Sequence, residues 1–244
     1  LKGTDDIAVP VKGGTYIKEA KIGRAIMDAD IFISLTHFKG HETVGFGGTI
    51  KNIGMGCGSR AGKKDQHSNG KPTIDPEVCR GCKRCMRDCA NQGLEFDETT
   101  KKMQVNAENC LGCGRCLGAC NFDAIRFVTD AATKELNCRM AEYAKAVVDG
   151  RPKFHISLIV DVSPYCDCHG ENDAPILPNV GMLASFDPLA LDQACADLCL
   201  KQQPLPNSVL SDNMKKADFC DHHDHFENTT VDSEYKSCLE HGEE

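Results

Sequence analysis

Cys79-Arg80-Gly81-Cys82-Lys83-Arg84-Cys85-Met86-Arg87-Asp88-Cys89 is followed by a second run of the same C-x2-C-x2-C-x3-C spacing, Cys110-Leu111-Gly112-Cys113-Gly114-Arg115-Cys116-Leu117-Gly118-Ala119-Cys120. Three thiolates three residues apart let a short loop wrap one corner of an iron–sulfur cube, while the fourth points away and reaches a neighbouring cube. The doubled run therefore predicts two [4Fe–4S] clusters with crossed ligation. Cys79, Cys82, Cys85 and Cys120 are expected on the first, and Cys110, Cys113, Cys116 and Cys89 on the second. Gly81, Gly112, Gly114, Gly118 and Ala119 stand where the backbone must come close to sulfur and leave amide N–H groups to point at it. The competing reading is a pair of zinc knuckles, but a zinc ion takes four ligands and has no use for the third and fourth cysteine of each run.

Between the runs, Leu94-Glu95-Phe96 and Met103-Gln104-Val105 read as the arms of a hairpin. On the N-terminal side, residues 7–11 and 15–17 read as short strands around the turn Lys12-Gly13-Gly14. Glu19 to Asp28 reads as a short amphipathic helix, and Ile31 to Leu35 as a buried strand. Gly40 to Gly62 is glycine-dense and reads as a loop with a helical piece around Thr43 to Ile53. On the other side, Leu136, Met140, Tyr143, Ala144 and Val147 space a helix over Ala131 to Val148, and Phe154, Ile156, Leu158, Val160 and Val162 alternate along a strand. Gly181 to Ser185 is a further strand. Asp187 and Pro188 then cap and begin a helix that runs to about Leu200. This order predicts a partial open α/β sheet domain, built from 1–70 and 131–217, interrupted at 71–130 by an inserted α+β ferredoxin-like 2[4Fe–4S] module. Residues 218–244 form an acidic, histidine-containing tail, expected to be solvated and partly disordered.

Composition bounds the setting. Sixteen cysteines in 244 residues are too dispersed for a small disulfide scaffold, and thiolates that hold iron must stay reduced. The expected compartment is the cytoplasm of a cell, anaerobic or nearly so, that tolerates oxygen-labile centres. No apolar run is long enough to span a membrane. The negative charge gathers toward the C-terminal half, where residues 131–244 carry nine basic against twenty acidic groups. No basic stripe with interleaved aromatics appears, which argues against a nucleic-acid partner; an acidic end suits solubility or a basic redox protein.

Outside the cysteine module, four stretches carry a resemblance. They are Asp28-Ala29-Asp30-Ile31-Phe32-Ile33-Ser34-Leu35-Thr36-His37-Phe38-Lys39-Gly40-His41; Gly47-Gly48-Thr49-Ile50-Lys51-Asn52; Asp161-Val162-Ser163-Pro164-Tyr165-Cys166-Asp167-Cys168; and Gly181 through Asp187-Pro188 to Asp192-Gln193. Together they resemble the iron–sulfur-centre proteins of the domain of unknown function 362 family, over nearly the whole chain to about residue 200. The resemblance implies an α/β domain with a ferredoxin insertion and a longer N-terminal portion than this chain has, so a missing N-terminal segment is expected. It implies no reaction. Ala90 and Asn121 stand where the bacterial ferredoxin run has proline, a departure that alters helix entry and removes no ligand.

Further candidates lie outside the module. His37 and His41 follow the strand Ile31 to Leu35, and Cys166, Cys168 and His169 follow the strand after Lys153. If both strands are parallel members of one sheet, the two sets converge at its carboxyl edge, where open α/β sheets bind ligands. Imidazole and thiolate there would suit an additional metal, a third redox centre or a small cofactor; the alternative is ordinary thiols and hydrogen-bonded surface histidines. Gly45 to Gly48 with Lys51 matches no nucleotide fingerprint but offers the backbone donors of an anion nest. Cys195 and Cys199, four apart on a helix, read as packed core. Cys220 with Asp221 to His225 has the composition of an adventitious metal site at a solvated end.

The reading that needs least is an iron–sulfur electron-transfer protein, passing single electrons through two clusters to or from a redox protein partner or a site in the α/β domain. The alternative is a redox enzyme whose α/β domain binds a small substrate, cofactor or extra metal near His37, His41, Cys166 and Cys168. A third is an assembly factor with structural clusters. No nucleophile with its base and no flavin motif is legible, so no catalytic residue is assigned.

Overall fold

The strand Lys153–Ile159 shows how this chain is built: Phe154, Ile156 and Leu158 alternate with His155 and Ser157, the two-residue period that sends neighbours to opposite faces. A computed structural model describes residues 5–67, 71–89, 91–110, 116, 119–122, 124–127, 130–168, 170, 172–231 and 233–244. Cys113, Gly112, Gly114, Gly118, Ala90 and His169 lie outside the described residues. In chain order the elements are β1 (Asp6–Pro10), β2 (Glu19–Gly23), α1 (Arg24–Met27), β3 (Phe32–His37), β4 (Lys39–His41), β5 (Gly45–Gly47), α2 (Thr49–Cys57), α3 (Arg60–Gln66), β6 (Pro72–Ile74), α4 (Arg84–Asp88), β7 (Leu94–Asp97), β8 (Lys102–Val105), β9 (Ile125–Phe127), α5 (Asp130–Val148), β10 (Lys153–Ile159), β11 (Gly181–Ser185), α6 (Pro188–Leu200), α7 (Val209–Asn213), α8 (His225–Thr229) and α9 (Lys236–Glu243). They fall into two compact units, Leu1–Ser59 with Asn137–Glu244, and Arg60–Leu136.

The first unit is mixed α/β. Its three-stranded sheet has the order β11-β10-β3, with β10 antiparallel to β11 and parallel to β3. Helices α2 and α6 pack against this sheet. Asp187 caps α6 by accepting from the N–H groups of Leu189 and Ala190, with Pro188 at the first helical position, as expected. Cys195 and Cys199 are fully buried in the core with Leu191, Phe38 and Ile159, the packing role read for them.

Four expectations are corrected here. Ile31 to Leu35 is strand in part, but not buried: Ile33 and Leu35 are 65% and 68% exposed, and Ser34, Thr36, His155 and Ser157 face inward. Alternation defines two faces without saying which one the helices cover. Glu19–Gly23 is not helical but pairs antiparallel with β1, from Asp6 opposite Gly23 to Pro10 opposite Glu19. Ala20 and Ile22, two apart, are both fully buried, which a strand achieves and a helix does not. Residues 15–17 form no strand. The Glu142 carboxylate takes their amides instead, accepting from Thr15 at 2.6 Å, Tyr16 at 3.0 Å and Ile17 at 2.6 Å. Finally, the end expected to be solvated is packed: Phe226, Tyr235 and Leu239 join the core. Asp224 is buried there, capping α8 at the N–H groups of Phe226 and Glu227 and accepting from the Tyr235 hydroxyl at 2.6 Å.

In the second unit, β7 and β8 pair as the expected hairpin, and β6 pairs antiparallel with β9. Its core contains Cys79, Cys85 and Cys116 beside Leu94, Met103 and Ile125.

Glu142 joins three distant parts of the first unit, since His241 of α9 also lies 3.0 Å from its Oε1. Glu142→Ala strands the amides of 15–17 without an acceptor, and is expected to lower the unfolding free energy by about 2–3 kcal/mol. Urea denaturation and amide exchange at Thr15 to Ile17 measure it; an unchanged midpoint with unchanged protection would contradict the role given to this carboxylate.

Candidate functional site

In the Arg60–Leu136 unit, Cys79, Cys82 and Cys85 from the first run and Cys120 from the second line one cavity, with Ile74 and Met103 on its apolar side. The backbone is shaped for this. Gly81 has φ +62, where a β-carbon would lie 2.1 Å from the Lys101 carbonyl oxygen, and its N–H donates to Cys79 Sγ at 3.4 Å. A second amide, that of Met103, reaches the same sulfur at 3.5 Å. The two runs are tied where the ferredoxin proline is missing, because Arg84 donates to the Asn121 side-chain oxygen at 2.8 Å. Burial, and then the neighbouring Cys120, pushes the Cys85 thiol up to about 11. Such a thiol surrenders its proton when a cation binds. Four sulfurs around one cavity fit an iron–sulfur cluster or another thiolate-bound metal.

The remaining cysteines of the runs are described in part. Gly93 donates to Cys89 Sγ at 3.2 Å, and a β-carbon on it would lie 2.8 Å from the Cys110 Cα, so the two segments touch there. Cys116 is buried and Cys110 half-buried.

The other unit holds a second locus. Parallel pairing of β3 with β10 ends with His37 opposite Leu158, so the chain leaves both strands at one edge. There a ring nitrogen of His41, Cys166 Sγ and Cys168 Sγ lie within 4.8 Å of one another. Lys51, from the first turn of α2, donates to Cys166 at 3.2 Å and to Cys168 at 3.7 Å. Gly47 makes room, since a β-carbon there would stand 2.9 Å from Lys39 Cε and 3.4 Å from Cys166 Sγ. His37 is at the same edge but engaged elsewhere: Nδ1 meets Asp167 at 2.9 Å and Nε2 meets the Val160 carbonyl at 2.9 Å. Buried Lys39 donates to the His37 carbonyl at 2.8 Å and pairs with Asp167 at 3.2 Å.

The local electrostatics follow from these contacts. Burial pulls the Asp167 carboxyl up, but the His37 hydrogen bond and Lys39 outweigh it and hold it below its usual range. Burial likewise depresses Lys51, and the two cysteines more than offset it, leaving the ammonium above its ordinary value. The hydrogen bond with Cys168, followed by burial, pushes the Cys166 thiol up to about 12 against the pull of Lys51 and His41.

Just past the Gly45 to Gly48 stretch read as an anion nest, the first amides of α2 are engaged within the chain. The N–H groups of Thr49 and Ile50 donate to Asp192 at 2.6 and 2.8 Å, so the chain's own carboxylate occupies the α2 N-terminus. Sequence reasoning gave Asp192 no role. The available signal was periodicity, because Asp192 shares a helix face with buried Cys195 and Cys199.

A family model described as domain of unknown function (DUF362) matches residues 1–197. The chain belongs to the DUF362 family. No curated protein matches it. DUF362 membership and the cysteine content are compatible with an iron–sulfur protein, and the His41, Cys166, Cys168 group with a metal-binding one. Among the described residues of this DUF362 chain, no helix is long and apolar enough to cross a membrane.

Burial, the largest influence, raises Asp192 to about 6 in spite of the Ile50 and Thr49 amides. Unfolded aspartate titrates near 3.9, so between these values the native state keeps a proton that the unfolded chain has lost. The contribution of this group to stability is therefore largest below the unfolded value and declines as pH rises through 6. Relative to Asp192→Asn, the parent is expected to lose about 1 kcal/mol of unfolding free energy between about pH 5 and pH 7. Paired denaturation curves at the two pH values test it, and a difference that does not move would rule out a buried, proton-retaining Asp192.

Proposed function

We propose that this DUF362 chain is an iron–sulfur electron-transfer protein, which passes single electrons through two [4Fe–4S] clusters held by the two cysteine runs. One observation carries the reading: Cys120 of the second run lines the same cavity as Cys79, Cys82 and Cys85 of the first. Zinc knuckles would close each run on its own ion, whereas crossed ligation is the habit of paired cubanes. The first cluster is assigned to those four residues and the second to Cys110, Cys113, Cys116 and Cys89. When bound, such a cluster supplies a centre that gains and loses one electron.

The chain's own part is to fix potential and access. Amide donors from Gly81 and Met103 to Cys79, and from Gly93 to Cys89, offset negative charge on sulfur, and burial of Cys79 and Cys85 withholds water from it. Cys82 is the exposed member of the first set, so a redox protein partner approaches from its side.

Cys85→Ser and Cys110→Ser are each expected to lower iron and sulfide per chain by roughly half, and the double substitution to remove both. Iron and sulfide analysis of anaerobically purified protein, with electron paramagnetic resonance after dithionite, provides the readout. Zinc at those cysteines, or iron unchanged in both variants, would overturn the proposal.

A further inference from the structure

At the carboxyl edge of β3 and β10, hydrogen bonds decide between two chemistries. Three potential ligand atoms within 4.8 Å match the scale of one metal ion. A metal-bound imidazole, however, offers the metal a bare ring nitrogen and keeps its proton on the other, which donates to a carbonyl or carboxylate. His41 is arranged the opposite way. Its Nδ1 accepts from the backbone N–H of Thr43 at 3.0 Å and of Val44 at 3.3 Å, which leaves the proton on Nε2, facing Cys168 Sγ 3.9 Å away. Glu42 stands 3.7 Å from the same Nδ1, beyond hydrogen-bond reach. The Lys51 ammonium contacts both sulfurs and supplies the positive charge that a thiolate seeks.

We propose that Cys166 and Cys168 are a redox-active dithiol that reduces disulfides by thiol–disulfide exchange. Burial divides the labour, because Cys168 is exposed and Cys166 is 3% exposed. The Cys168 thiolate attacks one sulfur of a substrate disulfide, forming a mixed disulfide and releasing the first substrate thiolate. Cys166 then loses its proton and attacks Cys168 Sγ, which closes the Cys166–Cys168 disulfide and releases the second thiolate. Two electrons and the single Cys166 proton pass from the pair to the substrate, whose other thiolate takes its proton from solvent. A second dithiol, acting through the reverse exchange, restores the pair. Lys51 and His41 are positioning residues that hold Cys168 as thiolate. The inference uses residues outside the cysteine runs and stands apart from the iron–sulfur reading.

The test uses the full chain, purified anaerobically, equilibrated in glutathione buffers of increasing oxidised fraction, alkylated and analysed by peptide mass spectrometry. The peptide bearing Cys166 and Cys168 is expected to pass from two alkyl groups to none at one midpoint, without a stable singly alkylated form. Cys166→Ser and Cys168→Ser should each abolish that transition and leave a glutathione adduct on the surviving cysteine. Lys51→Met should slow iodoacetamide labelling of Cys168 by about tenfold for each unit its thiol pKa rises. A disulfide-bonded peptide in place of oxidised glutathione shows whether small or peptide disulfides are preferred, and turnover of either supports the proposal. Two results overturn it. One is a pair that stays doubly alkylated in every buffer. The other is a metal equivalent present in the parent, absent from the double serine variant, and protecting the pair until a chelator is added. Peptide-level mapping reads either outcome whatever the iron content proves to be, so failure here is distinguishable from failure of the electron-transfer reading.

Discussion

The parallel pairing of Phe32–His37 with Lys153–Leu158 is the constraint on which the second locus depends. Parallel neighbours release their chains at the same end, so residues more than a hundred positions apart arrive together without any contact of their own to draw them. Beyond β3 the chain turns into a tight β4–β5 hairpin carrying His41, and beyond β10 it enters the loop carrying Cys166 and Cys168. The hairpin fits only because its backbone is bare. A β-carbon on Gly40 would lie 2.4 Å from the Pro164 carbonyl oxygen, and Gly40 donates its N–H to the Ser163 carbonyl at 2.8 Å. Gly40 is therefore a packing device for one loop against another.

Buried carboxylates do much of the assembly in this unit. An ionised carboxylate loses hydration on burial and regains it only from donors placed around it. Glu142 finds three amides and His241, Asp192 finds the first amides of α2, and Asp224 finds the first amides of α8 together with the Tyr235 hydroxyl. Each solution uses backbone donors that a helix start or an irregular segment leaves unpaired. The same groups would otherwise have to be wet, so these acids let loops and helix ends sit inside the fold. Asp192 has a further effect. By holding the start of α2 it fixes Lys51, two residues on, above the paired cysteines.

Legibility followed the range of the cause. The cap at Asp187–Pro188, the strand Gly181–Ser185, the long helix to Val148 and the hairpin between the cysteine runs were readable because neighbouring residues determine them. Glu19–Gly23 was misread because the stretch it begins satisfies helical spacing while its own Ala20 and Ile22 satisfy alternation, and only pairing with a distant Asp6–Pro10 decides. Ile33 and Leu35 were placed on the wrong side for a similar reason, since helices far along the chain choose which face to cover. At the thiol locus, the residue types and their convergence could be read. The turn that points the Thr43 and Val44 amides at His41, and so selects its protonated nitrogen, could not.

Charge separates the two groups of cysteines more sharply than spacing does. Around Cys79 and Cys89 the donors to sulfur are backbone amides, dipoles that soften a negative charge without cancelling it. Four thiolates lining one apolar cavity would leave several negative charges in a poor solvent, which is untenable unless an inorganic cation compensates them or protons stay on the sulfurs. Cys166 and Cys168 face the contrary situation, with a whole ammonium within hydrogen-bond reach of both and an imidazole N–H beside the outer one. A thiolate there would be neutralised by the protein itself, and an added divalent ion would have to displace Lys51 and reverse the His41 tautomer. The first arrangement reaches charge balance through a bound cation or through protons kept on its sulfurs; the second has a protein ammonium within reach of both sulfurs, one of them exposed and the other buried.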